Sequence, residues 1–567
     1  MGTVNPLARI LSGRPINTSS GSETCYDLIN YWIDKCRNEH RSCHQIEEFA
    51  LPNRVVDVGS TSRSPFLHIT GGQKGQWATL SHCWGSDLLI TTTQSTIKQR
   101  QTCIPLMDLQ PTFQDAILIV RRLGIQYLWI DALCIIQDSS EDWARESARM
   151  HEIYSRASIN IAATAGRSSR DGIFRSADKD RCHTKPLVKI SSFSSSLKIE
   201  GSLAIRMQTG HYPMVWVVNQ PLHKRAWVLQ ESTLSPRRID FSSEQIYWSC
   251  RESTFTEGDP HISQTQDSGM NGKNLFKMPL GRIPPQPYIG TPADISPMSW
   301  WYSTLFLYSR RSLTIPNDSL PAIAGVAREV KKRTGYTYIA GLWQEDLHRA
   351  LLWQSDLSVK RLEKSSVPSW SWASTQFPWP PRLLFLHIYL PGFRATLLEA
   401  NIDTMQDKPF GSVISGSLKL EGGCKVLEYW KIGANIVYNT SPRSMRLLNK
   451  HIHPKTSRHI GYKFPPPGCV LCTLDENIPE GEGEQKFEAE IHSGLIQRKA
   501  ICLQIAKFGH GALPHFIKTD EEIATVFGLI LEPTGDGEDE YKRIGIIEIP
   551  EENGLAEGWD RRVVTIV

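Results

Sequence analysis

Between Trp77 and Ala163 the chain alternates short β-branched runs with amphipathic helical segments, and this alternation constrains its fold more than any other feature. "WATLS" (77–81) reads as a short strand. "PTFQDAILIVRRLGI" (111–125) sets Phe113, Ala116, Ile117, Val120 and Leu123 on one helical face, with Thr112 as N-cap and Gly124 as the stop. "QYLWID" (126–131) then reads as a buried strand ending at Asp131. "SSEDWARESARMHEIYSRA" (139–157) is an amphipathic helix capped by Ser139 or Ser140, its stripe formed by Trp143, Ser147, Met150, Tyr154 and Ala157. "SINIAA" (158–163) closes the series as a strand. Strands and helices alternating at these lengths predict an α/β unit, a mostly parallel sheet flanked by helices. Ligands of open α/β sheets bind beyond the carboxyl ends of the strands, so the loops "SHCWG" (81–85) and "DALCIIQD" (131–138) are expected as neighbouring walls of a site.

At 567 residues the chain exceeds a single ordinary domain of about 100–200 residues. We divide it into an N-terminal helical extension (1–72), the α/β domain (73–255), a linker with a helical region (256–375) and a β-rich C-terminal domain (376–567). "DLINYWIDKCRNEHRSCHQIEEF" (27–49) supplies the helical texture of the first segment. "KISSFSSSLKIEGS" (189–202) reads as a loop or irregular hairpin, and Gly258 to Pro297 as a linker or long surface loop. In the last third, "TVFGLILEP" and "RIGIIEIP" form a hairpin-like unit.

A net charge of +4, with no dominating Lys/Arg block, gives no footprint for nucleic acid. The longest apolar runs, such as "LLFLHIYL" (383–390), fall short of the roughly 20 residues of a membrane span. The start lacks an apolar signal region, so a cytoplasmic location with reduced cysteines is expected. GxxxxGK[ST], HExxH and GxSxG are all absent, which removes support for P-loop, zincin and α/β-hydrolase chemistry. Cys36, His40 and Cys43 fall at i, i+4 and i+7 of the predicted helix, with His44 adjacent; no fourth ligand is evident, and no metal centre is assigned. "CVLC" (469–472) reads as a strand with two buried thiols.

Several motifs in order, "ATLSHCWG", "LQPTFQDAI", "LGIQYLWIDALCIIQDSSEDWARESARMHEIYSRASINIAATAG" and "KRAWVLQESTLSPRRIDF", resemble the fungal heterokaryon incompatibility (HET) domain. "YSRRSLTIPNDSLPAIAGVA", "YIAGLW" and "VPSWSWAS" resemble the downstream region of large HET-domain proteins, so the resemblance covers roughly Trp32 to Ser374. It implies an effector of regulated cell death in fungal nonself recognition, whose domain has been compared with TIR domains. The enzymatic TIR members cleave NAD at the nicotinamide glycosidic bond. No cofactor is expected, NAD being a candidate substrate.

Glycosidic cleavage needs a carboxylate at the ribose or the oxocarbenium-like transition state. Asp131, at the end of its strand, and Glu231, in "RAWVLQE", are the candidates, the alternatives being a turn aspartate and an internal salt bridge to a neighbouring arginine. Glu146 falls off the helix stripe and reads as a solvated bystander. His82 suits a general base or, protonated, a phosphate ligand. Cys83 and Cys134 are candidate nucleophiles or buried fillers. Ser81, Trp84, Gln137, Arg225, Trp227 and Gln230 complete the substrate-binding set, and Gly85 is read as permitting a tight turn after Trp84. Three readings stay open: a nucleotide-cleaving effector, a scaffold recruited for fungal small-molecule biosynthesis through His82, Cys83 and Asp131, and a non-enzymatic module acting by self-assembly or with a protein partner.

Overall fold

The alternation after Trp77 folds into the centre of a large sheet. The computed structural model describes residues 16–43, 48–85, 90–176, 181, 187–194, 197–204, 220–261, 297–355, 360–362, 365–376, 383–384, 394–404, 410–432, 435–439, 469–474, 498–507, 525–550 and 558–567. Two compact units emerge: residues 1–282 with 322–326, and 283–321 with 327–567.

In the first unit, helix α1 (Glu23–Glu39) starts at Ser22, whose hydroxyl accepts the Cys25 N–H. Next come β1 (Arg54–Asp57), β2 (Phe66–Ile69) and β3 (Trp77–Ser81), then α2 (Pro111–Arg122), β4 (Tyr127–Trp129), α3 (Ser140–Arg156) and β5 (Ile159–Ala162). Helix α4 (Val228–Leu234) precedes β6 (Arg237–Phe241), β7 (Ile246–Cys250) and β8 (Thr254–Thr256). The stretch before Trp77 thus supplies two strands of the large sheet and a small antiparallel pair, Phe49–Ala50 on Lys74–Gly75, as well as a helix. The segment read as a loop or irregular hairpin is an antiparallel hairpin of Leu187–Ser194 on Leu197–Ala204.

The sheet runs β8-β7-β6-β5-β3-β4-β1-β2. Its four central strands are parallel, through the β6·β5, β5·β3 and β3·β4 pairings. The flanks are antiparallel. The sheet is therefore mixed where a mostly parallel one was expected, and the connections explain why. A parallel crossover needs a dozen or more residues. The β6–β7 turn, by contrast, spans only 242–245, closed by Ser242 N–H on the Gln245 carbonyl.

Helix α2 has Pro111 in its first turn and Gln110 as N-cap; Thr112, expected as the cap, lies inside the helix and is buried. Gly124, expected as the stop, follows with φ +69°. Phe113, Ile117 and Val120 are fully buried, each contributing about 1.5–3 kcal/mol. Helix α3 is capped by Ser139, but its buried face is Asp142, Glu146, Met150, Ile153 and Tyr154. Glu146 is 1% exposed, which overturns its reading as solvated. The cause is Arg54 on β1: its guanidinium lies 2.5 Å from Asp142 Oδ2 and 3.7 Å from Glu146 Oε1, while Asn53 Nδ2 donates to Glu146 at 2.7 Å. A cation buried under the helix draws two carboxylates inward.

The second unit contains α5 (Pro297–Ser309) and strands β9 (Thr396–Thr404), β10 (Val413–Ile432), β11 (Asn435–Asn439), β12 (Cys469–Leu474), β13 (Arg498–Lys507), β14 (Thr525–Pro533), β15 (Glu540–Pro550) and β16 (Asp560–Ile566). The path β9-β10-β11-β12-β15-β14-β13 returns to β10, and β16 joins β10 and β15. The last third is β-rich as expected, and "TVFGLILEP" pairs with "RIGIIEIP" as the β14–β15 hairpin. Arg543 is fully buried, donating to the carbonyls of Leu351 and Trp353 at 2.8 and 2.5 Å with its guanidinium 3.7 Å from the Trp353 ring centroid. "CVLC" lies on β12, but its side chains, His44 and most of the 258–297 stretch (262–296) fall outside the described residues. Among the described residues no helix is long and apolar enough to cross a membrane.

Candidate functional site

Because β3 and β4 are parallel neighbours, with Thr79 opposite Trp129, the residues after them emerge side by side at the carboxyl edge. Ser81 ends β3 and Asp131 opens a single helical turn, Asp131–Cys134, after β4. Trp84 Nε1 donates to Asp131 Oδ2 at 2.9 Å, and the Ala132 N–H reaches Oδ1 at 2.7 Å. Asp131 is thus a turn aspartate and also the link between the two loops. It is the accessible carboxylate, its side chain 20% exposed.

Helix α4 brings the second carboxylate. Glu231 is 5% exposed, and the Ser81 hydroxyl donates to its Oε2 at 2.5 Å. Ser81 is itself held by Asn160 Nδ2 at 3.0 Å, which also donates to Thr79 Oγ1 at 2.9 Å. Burial raises the Glu231 carboxyl above its ordinary value; Arg225 and the Ser81 hydroxyl pull it down, and Asp131 pushes it further up.

His82 points inward, 2% exposed, edge-on to Phe113 with ring centroids 5.0 Å apart. Neither ring nitrogen has a hydrogen-bond partner among the described residues; Asp131 Oδ1 lies 3.8 Å from Nδ1. Burial drops the imidazole to about 4, outweighing the pull of Asp131, so it is neutral at pH 7. Arg225 donates to the His82 carbonyl and ties the segment before α4 to this loop. Gly85 closes the loop with φ +84°, and a Cβ there would meet Ser168 Cβ at 2.6 Å.

The other candidates sit differently. Cys83 packs with Ala162, Leu222 and Val228 and has no hydrogen bond to His82, and burial pushes its thiol up to about 11. Burial likewise raises Cys134 to about 12. Both are protonated at neutral pH and lack the activating base a nucleophilic thiol requires. Gln137 Nε2 donates to the Asp131 and Ile135 carbonyls at 3.0 and 3.2 Å, bracing the turn. Gln230 is engaged elsewhere, accepting the Gly325 N–H at 3.0 Å. Trp227 stands edge-on to Trp143, centroids 6.4 Å apart. Ser81, His82, Trp84, Asp131, Arg225 and Glu231 therefore come together, and Cys83, Gln137, Trp227 and Gln230 surround them.

Residues 77–231 match the family described as Heterokaryon incompatibility protein (HET). This segment is a HET domain. Its bounds carry a physical meaning: the match begins at the first residue of β3 and ends at Glu231, so it spans every side chain of the cluster. No curated protein and no solved structure matches the chain. The HET domain's cluster includes two groups that the sequence did not mark as site residues: Asn160, and Tyr154, read only as part of a helix stripe, whose hydroxyl donates to the Leu80 carbonyl at 3.2 Å. Asn160 has a signal in hindsight, an amide within the apolar run "SINIAA".

Proposed function

We propose that the HET domain binds a nucleotide of the NAD type and hydrolyses its nicotinamide glycosidic bond, acting as an effector of regulated cell death in heterokaryon incompatibility. The observation that carries this reading is the pair of carboxylates in unlike environments, Glu231 buried under Ser81 and Asp131 partly open beside a neutral His82. In this reaction the bond from ribose C1′ to the nicotinamide nitrogen breaks, and the electron pair leaves with neutral nicotinamide. Water adds to C1′, giving ADP-ribose and a proton. Asp131 is the group positioned to face the oxocarbenium-like charge, and Glu231 to accept a ribose hydroxyl in place of Ser81. His82, neutral and with no hydrogen-bond partner among the described residues, takes the proton from the attacking water. The TIR-like comparison and a cytoplasmic site of action belong to this proposal, with the β-rich last third acting as regulator or sensor.

The test is incubation of the purified full chain with NAD, in dilute and in crowded, assembly-promoting conditions, with nicotinamide release followed by chromatography. Release that falls at least a hundredfold in Asp131→Asn and in Glu231→Gln, with both variants still folded and melting cooperatively, supports the reading. Absence of release in every condition overturns it. A biosynthetic role through a cysteine nucleophile is disfavoured by the protonated, unassisted thiol of Cys83. Toxicity that survives both carboxylate substitutions would identify a non-enzymatic assembly module.

A further inference from the structure

At the opposite, amino-terminal end of the parallel strands lies a second cluster that the reaction above does not use. Cys250, the last residue of β7, pairs with Arg237, the first of β6. The sequence suggests Cys36, His40 and Cys43 on one helix face, but α1 ends at Glu39, so only Cys36 is helical. His40 takes an extended conformation as the C-cap, and the chain bends back through 41–43. That bend carries His40 and Cys43 to Cys36 and supplies the fourth side chain absent from the local sequence, Cys250. The ligand atoms of Cys36, His40, Cys43 and Cys250 all lie within 4.8 Å of one another.

We propose that these three thiolates and the His40 imidazole bind one zinc ion that clamps α1 onto the β7–β8 edge of the sheet. Tetrahedral zinc with bonds of about 2.0–2.3 Å sets its ligand atoms roughly 3.3–3.8 Å apart. Cys250 Sγ to His40 Nδ1 is 3.2 Å and Cys43 Sγ to His40 Nδ1 is 4.0 Å, so closure about a metal needs only sub-ångström shifts. The surroundings match those of a ligand set. His40 Nε2 meets Ser253 Oγ at 3.1 Å, which fixes the ring and leaves Nδ1 free as the donor. The Ser253 N–H donates to Cys250 Sγ at 3.3 Å, a bond that favours thiolate.

Cys36, Cys43 and Cys250 are 0%, 4% and 1% exposed. Three thiolates on a divalent ion leave one net negative charge, and Arg237, 2% exposed, is the cation interacting with Cys36. Soft S₃N ligation selects zinc among common divalent ions, and four protein ligands leave no open position, so the site is structural. It joins segments 210 residues apart in sequence.

The experiment uses the untagged full chain, purified under reducing conditions. Expected is one zinc per chain by elemental analysis, loss of the metal in Cys250→Ser, and retention in the control Cys103→Ser, at a half-buried thiol outside the cluster. Since Cys250→Ser could fail to fold, two further measurements stand beside it. Cobalt exchanged into wild type should show the intense visible bands of tetrahedral thiolate coordination. Ser253→Ala, which leaves every ligand in place, should weaken zinc affinity about 10–100-fold in a chelator competition. Wild-type protein that neither carries zinc nor takes it up after reduction overturns the proposal, as does a Ser253→Ala affinity equal to wild type. None of these readouts depends on NAD turnover.

Discussion

Two of the buried carboxylate clusters of the first unit, those around Arg54 and around Ser81, handle their charge in opposite ways. Around Arg54, every group is answered: its guanidinium meets Asp142 and Glu146, its Nε donates to the Cys134 carbonyl at 2.6 Å, and the Ile136 N–H reaches Asp142 at 2.8 Å. Around Ser81, Glu231 is held by a hydroxyl, and His82 is buried with neither nitrogen hydrogen-bonded among the described residues. The first arrangement is what a fold needs to bury charge; the second keeps charge and hydrogen-bonding capacity in reserve, at a cost in stability. Polar groups left unmatched at the carboxyl edge of a sheet are the physical mark of a site.

The comparison predicts its largest effect at the satisfied cluster. Arg54→Met removes the buried cation from Asp142 and Glu146, leaving them only the half-exposed Arg145, and should cost about 3–5 kcal/mol in denaturant unfolding; a loss under about 1 kcal/mol would show that the pairing is not what holds α3. Next is the acid response of His82. Its folded pKa, about 4, lies below the ordinary 6.5, so the folded state binds fewer protons between these values. Stability present above pH 6.5 is lost as pH falls through 4, by about 3 kcal/mol. His82→Gln should remove that share of the acid loss, as read from unfolding midpoints at pH 7.5 and 4; equal losses in both proteins would contradict a neutral buried imidazole.

Smaller effects separate the partners of the Ser81 pair. Ser81→Ala leaves the buried Glu231 without its hydroxyl donor and should cost about 1–3 kcal/mol. Glu231 carries the opposite pH sign to His82: burial raises its pKa above 4.5, so stability present below that value is lost as pH rises through the folded pKa. Glu231→Gln should therefore gain on wild type as pH rises from 4 to 8, and a difference that stays flat would rule out the raised carboxyl. Smallest is Cys83→Ala, expected within about 1 kcal/mol of wild type in stability and with activity intact. A dead Cys83→Ala would reopen thiol chemistry.

The central strands and helices were legible because their periodicities are strong, and the adjacency of the Ser81 and Asp131 loops followed from them. The flanking strands were not, since "RVVD" and "FLHI" are four-residue runs whose pairing is set by neighbours far along the chain. The inward turn of Glu146 could not be read from its helix, because the deciding partner is Arg54 on another element. The same holds for Ser81 with Glu231 and for Cys250 with His40, where side-chain chemistry named the candidates and only the fold matched them. Gln230 shows the converse: a residue type suited to a ligand is taken up by a backbone amide at Gly325.

The Ser81–Glu231 contact also has a history during synthesis. Its partners are 150 positions apart, which at about 5–20 residues per second is a delay of roughly 8–30 s on the ribosome. Once residues 131–138 have followed, the strand and both polar loops have emerged while the helix carrying the carboxylate has not. A message broken in this window, or a nascent chain clipped there, yields a fragment with the hydroxyl and no acid. Any activity that depends on the pair is thereby withheld from incomplete products, a form of quality control written into the order of the chain.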